Sequence, residues 1–169
     1  MNLLGAAATV SGLTLLSRIT GLVRENITAS VFGASALTDA FFVAFRLPNL
    51  LRRMFAEGAF SQAFVPMLAQ LRAQGDEAAT RRTIDTIATA LFWTLVAVSV
   101  AGVAGAPLLV WAMASGLARD AAAFDSAVVM TRWMFPYILF ISMVALSAGI
   151  LNTWRRFALP AFSPVLLNL

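Results

Sequence analysis

Two stretches of this chain carry no charge. Residues 86–118 lie between Asp85 and Arg119, and residues 133–154 lie between Arg132 and Arg155. Each is longer than the ~20 apolar residues a helix needs to cross a bilayer. In hydrocarbon every backbone amide must be satisfied by the chain itself, so only helices and closed barrels can span. Neither stretch shows the strict alternation of a barrel strand. The sequence therefore predicts an all-α, polytopic transmembrane helical bundle. Composition agrees: only 12% of residues are charged, against about 25% in ordinary soluble domains.

Apolar periodicity and turn residues predict about four complete spans and the start of a fifth. The expected helices cover residues 3–32, 37–71, 84–113, 125–153 and 160–169. Phe32-Gly33-Ala34-Ser35 reads as a turn, with Ser35 or Thr38 as N-cap of the second helix. Residues 72–85 read as a polar loop, and residues 115–120 as a short turn. Pro136 is expected to kink the fourth helix, and Pro107 lies near the end of the third. The N-terminus lacks the basic region of a signal peptide and reads as a retained first helix. The chain stops on an apolar run, FSPVLLNL, which suggests either a fragment of a longer protein or a small hairpin-rich protein.

Residues 38–66, TDAFFVAFRLPNLLRRMFAEGAFSQAFVP, depart most from the apolar pattern. Asp39, Arg46, Arg52, Arg53 and Glu57 sit among apolar residues there. An ionised side chain near a bilayer centre costs roughly 2.5–3.5 kcal/mol on insertion scales. On an ideal wheel Asp39, Arg46, Arg53 and Glu57 fall within about 40°. Asn49 flanks this stripe, and Arg52 points well away from it. Pro48 opens the backbone ladder at Ala44, and Gly58 is a second weak point. Broken helices are tolerated at membrane depth where they line a cavity. The first helix adds Arg18, Arg24 and Glu25, with Thr14, Ser17, Gly21, Arg24 and Thr28 on one stripe.

Two readings of these charges stand. In one, Arg18 and Arg24 face Arg46, Arg52 and Arg53 across a wet cationic cavity. Guanidinium forks suit phosphate oxygens, and Asp39 and Glu57 offset part of the positive excess. In the other, the charges are topological. Residues 18–25 form a loop, Arg52 and Arg53 are ordinary flanking residues after a span, and residues 55–71 form a surface helix. That second reading leaves Asp39 and Arg46 inside the span without partners.

Other chemistry is poorly supplied. All twelve basic residues are Arg, but they lie between apolar runs rather than in a solvated patch, so nucleic acid is not an expected partner. There is no Cys and no His, which removes thiol nucleophiles, soft metal sites and the commonest general base. The eight acids are scattered, so no metal and no cofactor is expected. Trp93, Trp111, Trp133 and Trp154 near helix ends suit interfacial belts. Gly102-Val103-Ala104-Gly105 permits close helix packing and is not a phosphate loop. The seven Met residues read as packing. Asp76, Glu77, Asp120 and Asp125 read as solvated loop residues. Arg72, Arg81 and Arg82 on one loop and Arg155 and Arg156 on another put both loops and the N-terminus in the cytoplasm.

Three segments, SRITGLVRE, GASALTDAFFVAFRLPNLLRRMFAEGAFSQAFVP and FPYILFIS…GILNTWRRFALPAFSPVLLN, closely resemble the MurJ (MviN) family of lipid II flippases. The resemblance covers essentially the whole chain. It implies a bacterial inner-membrane protein of the MOP exporter superfamily, related to MATE-type exporters, with two lobes around a central cavity. Residues 1–169 would be part of the N-terminal lobe, and the C-terminal lobe would be a missing partner. The implied partners are lipid II, the undecaprenyl-pyrophosphate-linked peptidoglycan precursor, and membrane lipids. Matched by motif, Arg18 and Arg24 correspond to the family's cavity arginines, with Ser17 beside them. Asp39 corresponds to its acidic residue on the second helix. Asn49, Arg52, Arg53 and Glu57 match its PNLLRR…EG segment. Gly5 stands where relatives often carry a basic residue, which weakens the charge argument for a cytoplasmic N-terminus. Arg46 stands where Lys is common.

The expected function is therefore the N-terminal part of a transporter, not an enzyme, with Pro48, Gly58 and Pro136 as hinges. The rivals are an exporter of another lipid-linked glycan, a membrane phosphatase or transferase acting on polyprenyl pyrophosphate, and a purely structural membrane module. The enzyme reading needs a nucleophile or base, and Asp39 or Glu57 would have to serve alone.

Overall fold

The structure is a computed structural model that describes residues 3–53 and 59–168. The described residues form helices joined by short turns. The chain divides into two compact units, Met1–Gly33 with Ser147–Leu169, and Ala34–Leu146.

In the first unit, α1 (Leu3–Phe32) packs against α8 (Ala158–Asn168). Gly33 ends α1. Its φ of +56° is left-handed backbone, and its N–H bonds the Ala29 carbonyl at 3.0 Å. That is the cap for which glycine is preferred, because it has no Cβ to clash. On α1, Leu13, Ser17, Thr20, Gly21 and Thr28 are half-buried while Leu15, Leu22, Ile27 and Val31 are exposed. The spacing of three, four and seven residues defines a single packed stripe.

In the second unit, α2 (Ala36–Arg52) packs against α6 (Ala121–Met134), and α3 (Ala59–Ala73) against α4 (Glu77–Ala104). α5 (Ala106–Met113) and the 3-10 helix Ser115–Arg119 complete the connection into α6. A buried cluster joins Ala40 of α2, Ala106 and Val110 of α5, and Ala127 and Val128 of α6. Three of these five are alanine, and small residues let helix backbones approach where lipid supplies no hydrophobic drive.

Several bounds differ from the sequence reading. α4 begins at Glu77, not Ile84, because Asp76 caps it: its carboxylate accepts the Ala79 N–H at 2.8 Å. Asp76 and Glu77 thus act in a helix start, and the polar stretch Thr80–Asp85 extends the helix beyond its apolar run. What is left between α3 and α4 is a tight turn, Gln74–Asp76, with Gly75 at φ +76°. The stretch read as one helix over 37–71 is described as α2 and α3, with residues 54–58 outside the described residues. The helix read over 84–113 divides at Gly105, where Ala106 and Pro107 open α5. Asp120 caps α6 by accepting the Ala122 and Ala123 N–H groups, so the helix begins at Ala121, four residues before the expected start at 125.

Pro136 divides α6 from α7 (Tyr137–Thr153). The proline has no N–H to return to the preceding turn. The chain passes it on tighter bonds, Ile138 N–H to Phe135 O and Leu139 N–H to Pro136 O, each at 3.1 Å. α7 ends in left-handed backbone at Arg155, φ +57°, with the Arg156 N–H on the Leu151 carbonyl at 2.9 Å.

Glu77–Ala104 and Ala121–Thr153 are long and apolar enough to cross a membrane. Much of their apolar surface is exposed, with Trp133 at 82%.

Candidate functional site

Ser35 sets the phase of α2. Its hydroxyl accepts the Thr38 N–H at 3.2 Å and pairs with the Thr38 hydroxyl at 2.9 Å. Asp39 then lies in the first turn, where the helix dipole favours a carboxylate. Ala40, Ala44 and Pro48, four residues apart, are buried. They form the stripe on the α6 side, which leaves Asp39, Arg46 and Arg53 on roughly the opposite face. All three are exposed. Their seven-residue spacing places successive charges about 10 Å apart along the axis. Phe41, Phe42 and Phe45 are also exposed, and the Phe41 and Phe45 rings stack at 6.0 Å.

Pro48 is fully buried. A residue without an N–H thus sits in the packed face of α2, and the ladder opens at Ala44 inside the protein rather than toward solvent. Asn49 is half-buried, and its carbonyl and that of Leu50 share the Arg53 N–H. Arg52 closes α2, but its side chain lies outside the described residues, as do Glu57 and Gly58.

On α1 the polar stripe read from the sequence separates into two kinds of residue. The Thr14 and Thr28 hydroxyls turn back onto the Val10 and Arg24 carbonyls, each at 2.8 Å, and so are satisfied within the helix. Ser17 and Gly21 instead meet α8. The Asn168 amide nitrogen lies 2.9 Å from the Ser17 carbonyl and 3.0 Å from its hydroxyl. Arg18, Arg24 and Glu25 are exposed. Arg18 and Glu25 share a face; Arg24 points about 120° from Arg18. The α1 charges belong to the first unit and the α2 charges to the second.

Asn168 is a residue the sequence reading passed over. The available signal was a carboxamide in an apolar helical run, which demands a partner where there is no water. Which partner it takes is a matter of packing, since 151 residues separate it from Ser17.

A family model described as "Lipid II flippase MurJ" matches residues 28–169. The chain belongs to the MurJ family. It is 60% identical over 168 residues to the lipid II flippase MurJ of Burkholderia cenocepacia, covering 99% of this chain and 33% of that protein. It is 43% identical to the probable lipid II flippase MurJ of Vibrio cholerae, across 99% of this chain and 33% of that protein. A solved structure titled "Lipid II flippase MurJ, inward closed conformation" matches 94% of this chain with a TM-score of 0.78 at 30% identity. This chain spans about a third of the length of these MurJ relatives. MurJ membership makes it a membrane protein, consistent with the two long apolar helical stretches Glu77–Ala104 and Ala121–Thr153.

Proposed function

We propose that this chain supplies the N-terminal part of a lipid II flippase. It moves the undecaprenyl-pyrophosphate-linked peptidoglycan precursor from the cytoplasmic to the periplasmic leaflet of the bacterial inner membrane, with its own N-terminus in the cytoplasm. The observation that carries the reading is 60% identity, over nearly all of this chain, to a protein named lipid II flippase MurJ.

The chemistry of the charged side chains supports it. Arg18 and Arg24 on α1, Arg46 and Arg52 on α2 and Arg53 at its C-cap supply guanidinium groups for a pyrophosphate. Each can donate a forked pair of hydrogen bonds while staying charged at any physiological pH. Asp39 and Glu57 lower the net positive charge, so an anion is attracted without being trapped. Asn49 adds a neutral polar group beside the stripe. Pro48 and Pro136 each remove a backbone N–H from the helical ladder, and with Gly58 they are the points at which the chain would flex as the cavity opens to one side and then the other. No bond is made or broken, and the process needs differential exposure of the anion site to the two leaflets.

The test is transport by a full-length MurJ protein that carries residues 1–169 as its N-terminal third. Arg18→Ala, Arg24→Ala and Arg52→Ala should each fail to support growth of a flippase-depleted strain at normal membrane levels. The Lys variants should be only partly impaired, because charge remains while the fork is lost. Normal growth of the Ala variants would refute the anion-binding role.

A further inference from the structure

We infer that Asn168 is a positioning residue: its carboxamide pins the α1 turn that carries Arg18, and Ser17 works through this joint. The inference rests on the proposed anion-binding role of Arg18.

The geometry is specific. Asn168 Nδ2 donates to the Ser17 carbonyl at 2.9 Å and reaches the Ser17 hydroxyl at 3.0 Å. A carbonyl oxygen can only accept, so the amide nitrogen must face α1. Its two hydrogens then serve two acceptors on one residue. One turn further on, Gly21 leaves the seat open. A Cβ there would stand 3.4 Å from Asn168 Nδ2 and 3.6 Å from its Cγ. Alanine would just touch the carboxamide, and a branched side chain would displace it. Ser17 and Gly21 thus form the floor of a close helix contact, the small-residue pattern of membrane helix pairs.

Ser17 O belongs to the peptide unit whose nitrogen is that of Arg18, so fixing this oxygen fixes the start of the arginine. The Thr20 hydroxyl lies 3.0 Å from the same carbonyl and 3.0 Å from that of Leu16, so its one proton is shared between the two. A slide of α1 by one residue moves it about 1.5 Å along its axis and turns it about 100°. Both Asn168 bonds would break. Each broken bond would leave a part-buried polar group unpaired between the helices, so the register of Arg18 is locked to α8. The Ser17 hydroxyl, already occupied by Asn168, is part of the lock.

Ser17–Arg18 is the only Ser–Arg dipeptide in the 169 residues. Serine labelled with 13C at its carbonyl, together with 15N-arginine, therefore yields one carbonyl–amide correlation, from the Ser17 carbonyl. In the full-length protein with isotope labels confined to residues 1–169, in lipid nanodiscs, Asn168→Leu and Gly21→Val should both move this signal in the direction of a lost hydrogen bond, and Asn168→Gln should move it less. An unmoved signal in folded Asn168→Leu and Gly21→Val would overturn the joint. The unsubstituted protein gives an independent check: dipolar coupling between side-chain 15N of asparagine and the Ser17 carbonyl should be present, and its absence would overturn the joint without any variant.

Transport by the full-length protein separates this inference from the reading beneath it. Asn168→Leu should reduce transport roughly three- to thirtyfold, the worth of one to two interhelical hydrogen bonds. Ser17→Ala should lose less, because the carbonyl bond survives. If Arg18→Ala transports normally, the anion-binding reading fails while the spectroscopic joint still stands. If Arg18→Ala is inactive and Asn168→Leu moves the signal but transports normally, the positioning role is overturned.

Discussion

Gly102 offers a prediction on which local and tertiary reasoning disagree in sign. In an isolated helix, Gly→Ala at an interior position gains about 1 kcal/mol. Gly102 lies inside α4 and is buried. A Cβ built on it falls closer than 3.0 Å to three carbons of the Phe135 ring. That ring is only 2% exposed, so it cannot swing into open space. Phe135 also precedes Pro136, whose fixed φ leaves the backbone little room to yield. Overpacking of this kind costs about 1–3 kcal/mol, and the lack of relief puts Gly102→Ala near the upper end. Set against the propensity gain, the net loss is about 2 kcal/mol. For a chain of this size that lowers the melting temperature by about 4–8 °C. The assay is thermal unfolding in detergent followed by tryptophan fluorescence. The cycle is completed with Phe135→Ala, which costs about 3–5 kcal/mol alone by leaving a cavity. In that background the clash is gone, so Gly102→Ala should become stabilising by about 1 kcal/mol. A Gly102→Ala protein as stable as the parent, or the same sign in both backgrounds, would refute the reasoning.

Three other outcomes follow from local geometry and are read by the same melts. Arg155 holds left-handed backbone at φ +57°, so Arg155→Gly should stabilise by about 1 kcal/mol; a lower melting temperature would count against it. Asp120 caps α6 with two backbone N–H groups, so Asp120→Ala should cost about 1 kcal/mol, and Asp120→Asn much less. Among the described residues the buried Ser142 hydroxyl has no hydrogen-bond partner. Ser142→Ala should therefore be neutral or stabilising, and a loss above about 1 kcal/mol would mean that the hydroxyl has a partner.

The sequence by itself determined the class of the protein. Charge-free runs longer than a bilayer is thick leave a helical bundle as the economical solution, and that depends on composition and length alone. It also marked Gly33 and Pro136, because left-handed backbone and a missing N–H are properties of single residues. The family was legible in the contiguous Arg- and Pro-bearing segment of α2. The start of α4 was harder. A polar stretch such as EAATRRTID suits a loop by composition, and the cap at Asp76 extends the helix through it.

Only tertiary structure decided which face of each element is used. Asp39, Arg46 and Arg53 share an exposed face because Ala40, Ala44 and Pro48 pack on the other, and a helical wheel shows the stripe without saying which side is buried. Ser17 and Thr28 look alike on the wheel, yet one bonds α8 and the other its own helix. Asn168 meets Ser17 across 151 residues, and Phe135 fills the space that Gly102 leaves. Local sequence sets the backbone's options residue by residue. Which distant side chain fills a given seat depends on the close packing of helices, and that is a property of the pair.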